Sequence, residues 1–301
     1  MDPLTAFSIE LESSADRPER LALTIGTLVD SALDVEAGIR RLDELADQVE
    51  QRMPAGAIGR ARAEALITVL HDQMEFRGNV ENYYDPVNSF LHRVLDTRLG
   101  LPITLSLLYI AIGRRLGIRL QGMGFPGHFM LEYRDPAGVW LLDPFHGKVV
   151  ALDELTNYLS RLFQETLRTP VALENYRVDT NALILRVLNN LRAIYVSQHS
   201  LPKALGVLDF MLIVEPEEAS LRRDRALLHF GSRNLLAAEN DLRRYFQLNG
   251  CLHLFRGEVE MVPGTIPYGA WLPEAEQPAT GEERRLLTVL RKIREEIRRL
   301  N

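Results

Sequence analysis

Two short apolar segments joined by four turn-forming residues, Asp135 to Gly138, constrain the fold of this chain more than any other feature of its sequence. Residues 129–134 and 139–144 are rich in aromatic and branched side chains, so this arrangement predicts an antiparallel hairpin. The preceding residues 102–116 have so little polar surface that we expect a buried helix, with Pro102 in its first turn. Helices followed by antiparallel strands indicate an α+β fold.

Apolar residues also recur at helical spacing upstream of this region. They predict one helix over residues 34–52 and a second one around residues 63–70. We therefore assign residues 1–170 to a first domain, which consists of N-terminal helices, the buried helix and the strands.

An internal repeat with a period of 34 residues follows the first domain. The matched positions are Ala204 with Ala238, Leu208 with Leu242, Met211 with Tyr245, and Pro216 with Gly250. That period and those residue types predict tetratricopeptide-like helical repeats over residues 171–250. Two units are too few to cover their own apolar end faces, so we expect the pair to dock on the first domain or on the C-terminal tail.

The last segment, residues 251–301, is predicted to have two parts. Four prolines between residues 251 and 279 predict an extended stretch, and an amphipathic helix follows it. Residues 282–301 contain seven Lys or Arg and four Glu, so this helix has a basic polar face. Such a helix either binds a membrane or an acidic groove, or packs its apolar stripe on its own protein, which is the commoner arrangement.

Composition and charge exclude several classes of protein. The formal net charge of −6 leaves no excess of basic side chains for general nucleic-acid binding. The single cysteine, Cys251, rules out a disulfide within one chain and suits a reducing compartment. No run approaches the ~20 apolar residues that span a bilayer, and the first residues lack a signal peptide. We therefore expect a cytoplasmic protein without a transmembrane segment.

His128 and Asp143 are the residues best placed to carry chemistry. They lie at the start of one predicted strand and near the end of the next, so a short hairpin can bring the two side chains together. An aspartate that accepts from one imidazole nitrogen fixes the tautomer and leaves the other nitrogen free for a reacting group. In a cysteine enzyme that group is a thiol at the N-terminus of a packed helix. The plainer interpretation is a buried polar pair that positions the two strands.

Four longer segments occur in a fixed order between residues 82 and 147: NYYDPVNSFLHRVL, GLPITLSLLYIAIGRRLG, GFPGHFMLEY and LLDPFHG. Together they resemble the transglutaminase-like superfamily, and more closely the bacterial SirB-type family. Members of that family join a transglutaminase-like core to tetratricopeptide repeats. The resemblance is strongest over residues 83–147, and it implies a papain-like core followed by a helical module.

The resemblance also implies roles for single residues. His128 and Asp143 take the positions of the catalytic His and Asp, and the nucleophilic cysteine is expected where residues 100–104 enter the helix. No cysteine is present there, so the dyad is degenerate. The remaining cleft is expected to include Asn88, Pro102, Thr104, Phe125 and Gly127.

Other assignments of the same residues remain open. Ser89 is a candidate hydroxyl nucleophile with His128 and Asp143, although a short polar side chain there more often caps a helix. His128, Asp143 and His146 are a weaker candidate for a metal site, because the ligand spacings typical of metal motifs are absent. We predict no metal and no cofactor.

The sequence thus supports two hypotheses about function. The first is a non-catalytic transglutaminase-like protein that binds a protein or peptide partner through its repeats and its degenerate cleft, as an adaptor or regulator. The second is a hydrolase or acyl-transfer enzyme that uses a nucleophile other than cysteine with His128 and Asp143. The sequence makes no prediction about the oligomeric state.

Overall fold

The computed structural model describes residues 2–13, 17–164, 172–251 and 280–300. The chain divides into two compact units, Met1–Gln198 and His199–Asn301. The sequence predicts a boundary near residue 170. The two units of the structure meet later along the chain, after Gln198.

The described residues of the first unit form eight α-helices. They are α1 (Pro3–Ser13), α2 (Pro18–Ile25), α3 (Val35–Arg52), α4 (Gly59–Ile67), α5 (Leu91–Thr97), α6 (Pro102–Arg115), α7 (Leu155–Phe163) and α8 (Thr180–Ser197). Short 3-10 turns span Gly26–Leu28, Pro86–Ser89 and Leu173–Tyr176, and a π-helical turn over Thr68–Gln73 continues α4.

Helix α6 is the centre of the first unit. Eleven of its fourteen residues are buried, which confirms the burial predicted from its composition. Pro102 occupies the first turn, where a missing N–H removes no hydrogen bond. Other elements cover the helix on several sides: α2, α3, α5, α8 and the strands β3 and β4 defined next.

Two small sheets complete this unit. The strands β1 (Arg77–Gly78) and β2 (Leu99–Gly100) pair in parallel. The strands β3 (Leu120–Met123), β4 (Met130–Asp135), β5 (Gly138–Asp143) and β6 (Lys148–Ala151) form an antiparallel sheet in that order. Asp135 pairs with Gly138, so the predicted hairpin between β4 and β5 is confirmed, with two residues in its loop.

The described part of the second unit, residues 199–251 and 280–300, is helical. It contains α9 (Leu201–Val214), α10 (Ala219–Gly231), α11 (Leu235–Leu248) and α12 (Gly281–Leu300). The six apolar repeat positions are all buried, in α9 and α11: Ala204, Leu208, Met211, Ala238, Leu242 and Tyr245. Helix α12 packs its apolar stripe on the core formed by α10 and α11, as the commoner interpretation of that stripe expected.

Helix α8 explains the shifted boundary. The repeat region that the sequence predicts, residues 171–250, includes this helix. In the structure it packs on α2, on α6 and on the turn Pro86–Ser89, all of which belong to the first unit. Helical periodicity identifies a helix but not the domain that buries it. The extended stretch predicted over residues 251–279 lies outside the described residues, except for Cys251.

The fold is therefore α+β, with a C-terminal helical part, as the order of segments predicted. Within the described ranges, no helix combines the length and the apolar character needed to cross a bilayer.

Candidate functional site

A tight turn delivers His128 to the start of β4. The carbonyl oxygen of Phe125 accepts a hydrogen bond from the backbone N–H of His128 at 3.2 Å. Gly127 has φ +71°, and Pro126 precedes it, which suits the two central positions of a type II turn. The sequence Phe-Pro-Gly-His thus fixes the backbone direction at which the imidazole enters the sheet.

Asp143 ends β5 beside this turn, because Leu142 of β5 pairs with Leu131 of β4. The carboxylate is fully buried, and its Oδ2 lies 2.7 Å from Nε2 of His128. A carboxylate can only accept, so Nε2 donates this bond. The expected contact between the two side chains is therefore present.

The same carboxylate binds more groups than the sequence predicted. Oδ2 also accepts from Nδ1 of His146 at 2.9 Å and from the hydroxyl of Tyr158 at 2.6 Å. Oδ1 accepts from the backbone N–H groups of Phe145 and His146, at 3.0 and 3.1 Å. Asp143 therefore ties together the turn before β4, the end of β5, the loop after β5, and α7. We call His128, Asp143, His146 and Tyr158 the Asp143 cluster.

Electrostatics favour one charge state of the Asp143 cluster. Burial alone raises the pKa of Asp143, but the hydrogen bonds from His128, His146 and Tyr158 outweigh it and hold the pKa well below its usual range. Burial first, and then the negative charge of Asp143, raise the pKa of Tyr158 well above its usual value. At neutral pH the carboxylate is therefore ionised and the phenol is a hydrogen-bond donor.

His146 is expected to make stability depend on pH. Its hydrogen bond to Asp143 raises its pKa in the folded state above the ordinary value of about 6.5. A histidine with a raised pKa contributes stability fully below about pH 6.5 and loses that contribution as the pH rises through the folded-state pKa. The advantage in Tm of the wild type over His146→Gln should therefore shrink between about pH 6 and about pH 9. A difference in Tm that stays constant over this range would contradict the assignment.

Arg186 of α8 holds the turn from the other side, and sequence reasoning missed it. Its Nη2 donates to the carbonyl oxygens of Phe125 and His128 at 2.9 and 3.1 Å. Its guanidinium also lies over the ring of Phe129, 5.5 Å from the ring centre. The arginine lies 58 residues from His128, so no local pattern links the two.

Comparison with known proteins identifies the family. Residues 36–196, more than half of the chain, match the model of the transglutaminase-like superfamily. The chain belongs to this superfamily. Residues 191–256 match the tetratricopeptide repeat model, and this range overlaps the repeat region predicted over residues 171–250.

Several individual proteins are similar to parts of this transglutaminase-like chain. A UPF0162 protein of Xylella fastidiosa (strain 9a5c) is 33% identical over 205 residues, which cover 67% of this chain and 72% of that protein. F-box only protein 21 of Homo sapiens is 44% identical over 82 residues, or 27% of this chain and 13% of that protein. A crystal structure of menin aligns with a TM-score of 0.40 and 10% identity, covering 82% of this chain and 69% of that one. A likeness that low carries no information about function.

The start of α6 is where the resemblance expects the nucleophile of a transglutaminase-like enzyme. Pro102 stands there, buried, and Thr104 is the nearest hydroxyl along the helix. The Thr104 hydroxyl donates to the carbonyl oxygen of Asn88 at 2.6 Å and accepts from the backbone N–H of Leu101 at 2.9 Å. This hydroxyl thus caps the helix and is not available to attack a substrate.

The other residues expected to line the cleft are mostly inside the protein. The Asn88 side chain donates to the carbonyl oxygen of Asn82 at 2.7 Å and accepts from Asn79 at 2.9 Å, so it fixes the loop before α5. Phe125 is 1% exposed and packs its ring 4.9 Å from that of Tyr176. Of the five predicted residues, only Gly127 is exposed. These side chains therefore hold the scaffold of the site and do not form the wall of an open cleft.

Ser89 is also buried, at 1% exposure, in the turn before α5. Its Oγ has no hydrogen-bond partner among the described residues. The side chain therefore does not act as the expected helix cap.

The Asp143 cluster also contains three groups that are able to bind a metal ion. His128, Asp143 and His146 offer ligand atoms within 4.8 Å of one another. However, Nε2 of His128, Nδ1 of His146 and the Tyr158 hydroxyl already donate to the same carboxylate oxygen of Asp143. Metal binding at Oδ2 would have to replace these hydrogen bonds, so the arrangement fits a hydrogen-bonded cluster better.

Proposed function

We propose that this protein is a non-catalytic transglutaminase-like adaptor that binds protein or peptide partners. The observation that carries this proposal is the start of α6. Pro102 takes the place where the resemblance expects a thiol, and the nearest hydroxyl, on Thr104, caps the helix. Without a nucleophile, His128 has no group to activate.

The single thiol of the chain supports this proposal. Cys251 lies in the second unit and donates to Oε1 of Glu283 at 3.0 Å. Burial, followed by this contact with a carboxylate, raises its pKa to about 11. Because the thiolate is the nucleophilic form, this cysteine is unreactive near neutral pH.

The domain composition supports binding of a protein partner. Tetratricopeptide-like repeats stack into surfaces that bind segments of other proteins. In this proposal the Asp143 cluster is a structural cross-link within the first unit, and the protein acts as a regulator of the SirB type by bringing partners together.

The second candidate function is a hydrolase that uses Ser89. The buried Oγ of Ser89, which has no hydrogen-bond partner among the described residues, favours it, since a nucleophile needs unused hydrogen-bonding capacity. A substrate would have to open the site to reach this hydroxyl.

Turnover assays distinguish the two functions. Amide and ester hydrolysis and amine transfer to a glutaminyl peptide should be measured for the wild type, His128→Gln and Ser89→Ala. The adaptor hypothesis expects all three to match buffer, and affinity capture from cell extract to retain the same proteins for wild type and His128→Gln. Activity in the wild type that falls by roughly 10²-fold or more in both variants, while circular dichroism shows both folded at the assay temperature, would establish the hydrolase.

A further inference from the structure

We infer that the groove between β6 and α7 binds an extended acidic segment of a partner protein, which pairs with the outer edge of β6. This inference rests on the proposed function, because it assigns a binding role and no chemistry to the region next to the Asp143 cluster. It names the class of partner and the mode of binding.

The position of β6 leaves the outward backbone groups of Val149 available. The strand is the last of the four in its sheet, and no strand within the described ranges pairs with its outer side. Alternate residues of an edge strand direct N–H and C=O groups outward, where an added strand can bind them. Val149 and Ala151 face outward, but the N–H and C=O groups of Ala151 already bond to Glu154. An added segment therefore pairs with β6 at Val149.

The groove beside this edge has a volume of ≈ 480 Å³. Val149, Val150 and Leu162 form its apolar part together with Tyr158. This volume lies within the range of natural ligand sites, roughly 300–1,000 Å³. Apolar side chains of a bound segment can therefore lose contact with water here.

The charges around the groove select the partner. Lys148, Arg161 and His146 line it, and Glu154 is the single acid among the lining residues. Lys148 and Arg161 are exposed and form no ion pair with any residue that the structure describes. The chain as a whole has a net charge of −6, so this local basic patch stands out from its surroundings. It favours a segment with carboxylate side chains.

The strand geometry also predicts a pattern in that segment. Lys148 and Val150 are two residues apart in β6, so their side chains lie on the same face, where Val150 packs with residues of α7. A paired strand should place a carboxylate near Lys148 and an apolar side chain near Val150, again two residues apart. The expected motif is therefore Asp or Glu, any residue, then an apolar residue.

The test uses a phage-displayed library of random dodecapeptides. The library is selected on the full-length protein alone, and enriched peptides are synthesised for fluorescence anisotropy. We expect the acidic-x-apolar motif, and a Kd at least ~10-fold weaker in Lys148→Glu and in Arg161→Glu. Lys148→Arg keeps the charge and should retain binding. Arg119→Glu reverses an exposed charge outside this groove and should leave the Kd unchanged.

Two readouts test the strand pairing. Methylation of the peptide nitrogens that face β6 should abolish binding. Methylation of the nitrogens between them, which face away from β6, should leave binding unchanged. Lys148 is the only lysine between residues 1 and 198, so protection of this amine from acetylation reports directly on occupancy of the groove. Acetylation of Lys148 should slow in proportion to the bound fraction.

Several outcomes would overturn the inference. These are enriched peptides without acidic residues, binding that does not respond to Lys148→Glu, and a homodimer in light scattering that this variant dissociates. The first two leave the groove without the proposed partner, and the third makes a second copy of the chain its occupant. Turnover in the amide assays would instead overturn the proposed function, whatever the peptides bind.

Discussion

Replacing Asp143 with alanine is expected to lower the free energy of unfolding of the first unit by about 3–5 kcal/mol. The carboxylate is fully buried and accepts hydrogen bonds from three side chains and two backbone N–H groups. Alanine removes every acceptor at once and leaves the donors of His128 and Tyr158 in the protein interior without a partner. Urea unfolding followed by circular dichroism measures the loss.

Asp143→Asn is the matched control. It keeps the shape of the side chain and one carbonyl oxygen for the backbone N–H groups, so its loss should be clearly smaller. A double-mutant cycle with His128→Gln then isolates the coupling between the two side chains, which we expect at about 1 kcal/mol or more. Strict additivity, or an alanine variant as stable as the wild type, would mean that the cluster contributes nothing to folding.

The core of the candidate site could be predicted because its signals are local. The turn residues before His128, the hairpin loop and the position of Asp143 all lie within about twenty residues of sequence. Alternation and turn chemistry act over that distance, so the contact between the two side chains follows from the hairpin. The family resemblance pointed to the same two residues.

The rest of the site depends on tertiary packing. Tyr158 reaches Asp143 from α7, and Arg186 reaches the Phe125–His128 turn from α8. Both helices are amphipathic in sequence, and nothing in their patterns distinguishes a buried polar residue that binds the site from one that is solvated. The strands β3 and β6 were also missed, because each is only four residues long.

The predicted cleft residues show a related limit. Asn88 and Thr104 were assigned to a binding surface because of the family position, but their polar groups satisfy backbone groups at the start of α6 and in the loop before α5. A short polar side chain next to a helix start most often has this capping role. The resemblance identified important positions but not the hydrogen bonds that the side chains form there.

Replacing Leu290 with alanine is the second change with a large expected effect. Leu290 is fully buried in α12, in a core shared with Leu242 of α11 and Ala226 of α10. Truncating a buried leucine removes apolar contacts and leaves a cavity, which lowers the free energy of unfolding by about 2–5 kcal/mol. Arg223–Glu282, at 2.6 Å, is one of the ion pairs that link α12 to its neighbours, but exposed pairs of this kind contribute little.

Leu300→Ala provides the matched control on the same helix. That side chain is 79% exposed, so its truncation should change stability by no more than about 0.5 kcal/mol. The comparison tests whether α12 completes the second unit, since the end of a short repeat array is an apolar face that needs a cover. If both variants unfold at the wild-type urea concentration, the repeats do not depend on α12. A loss confined to Leu290→Ala establishes the helix as the cap of the repeat array.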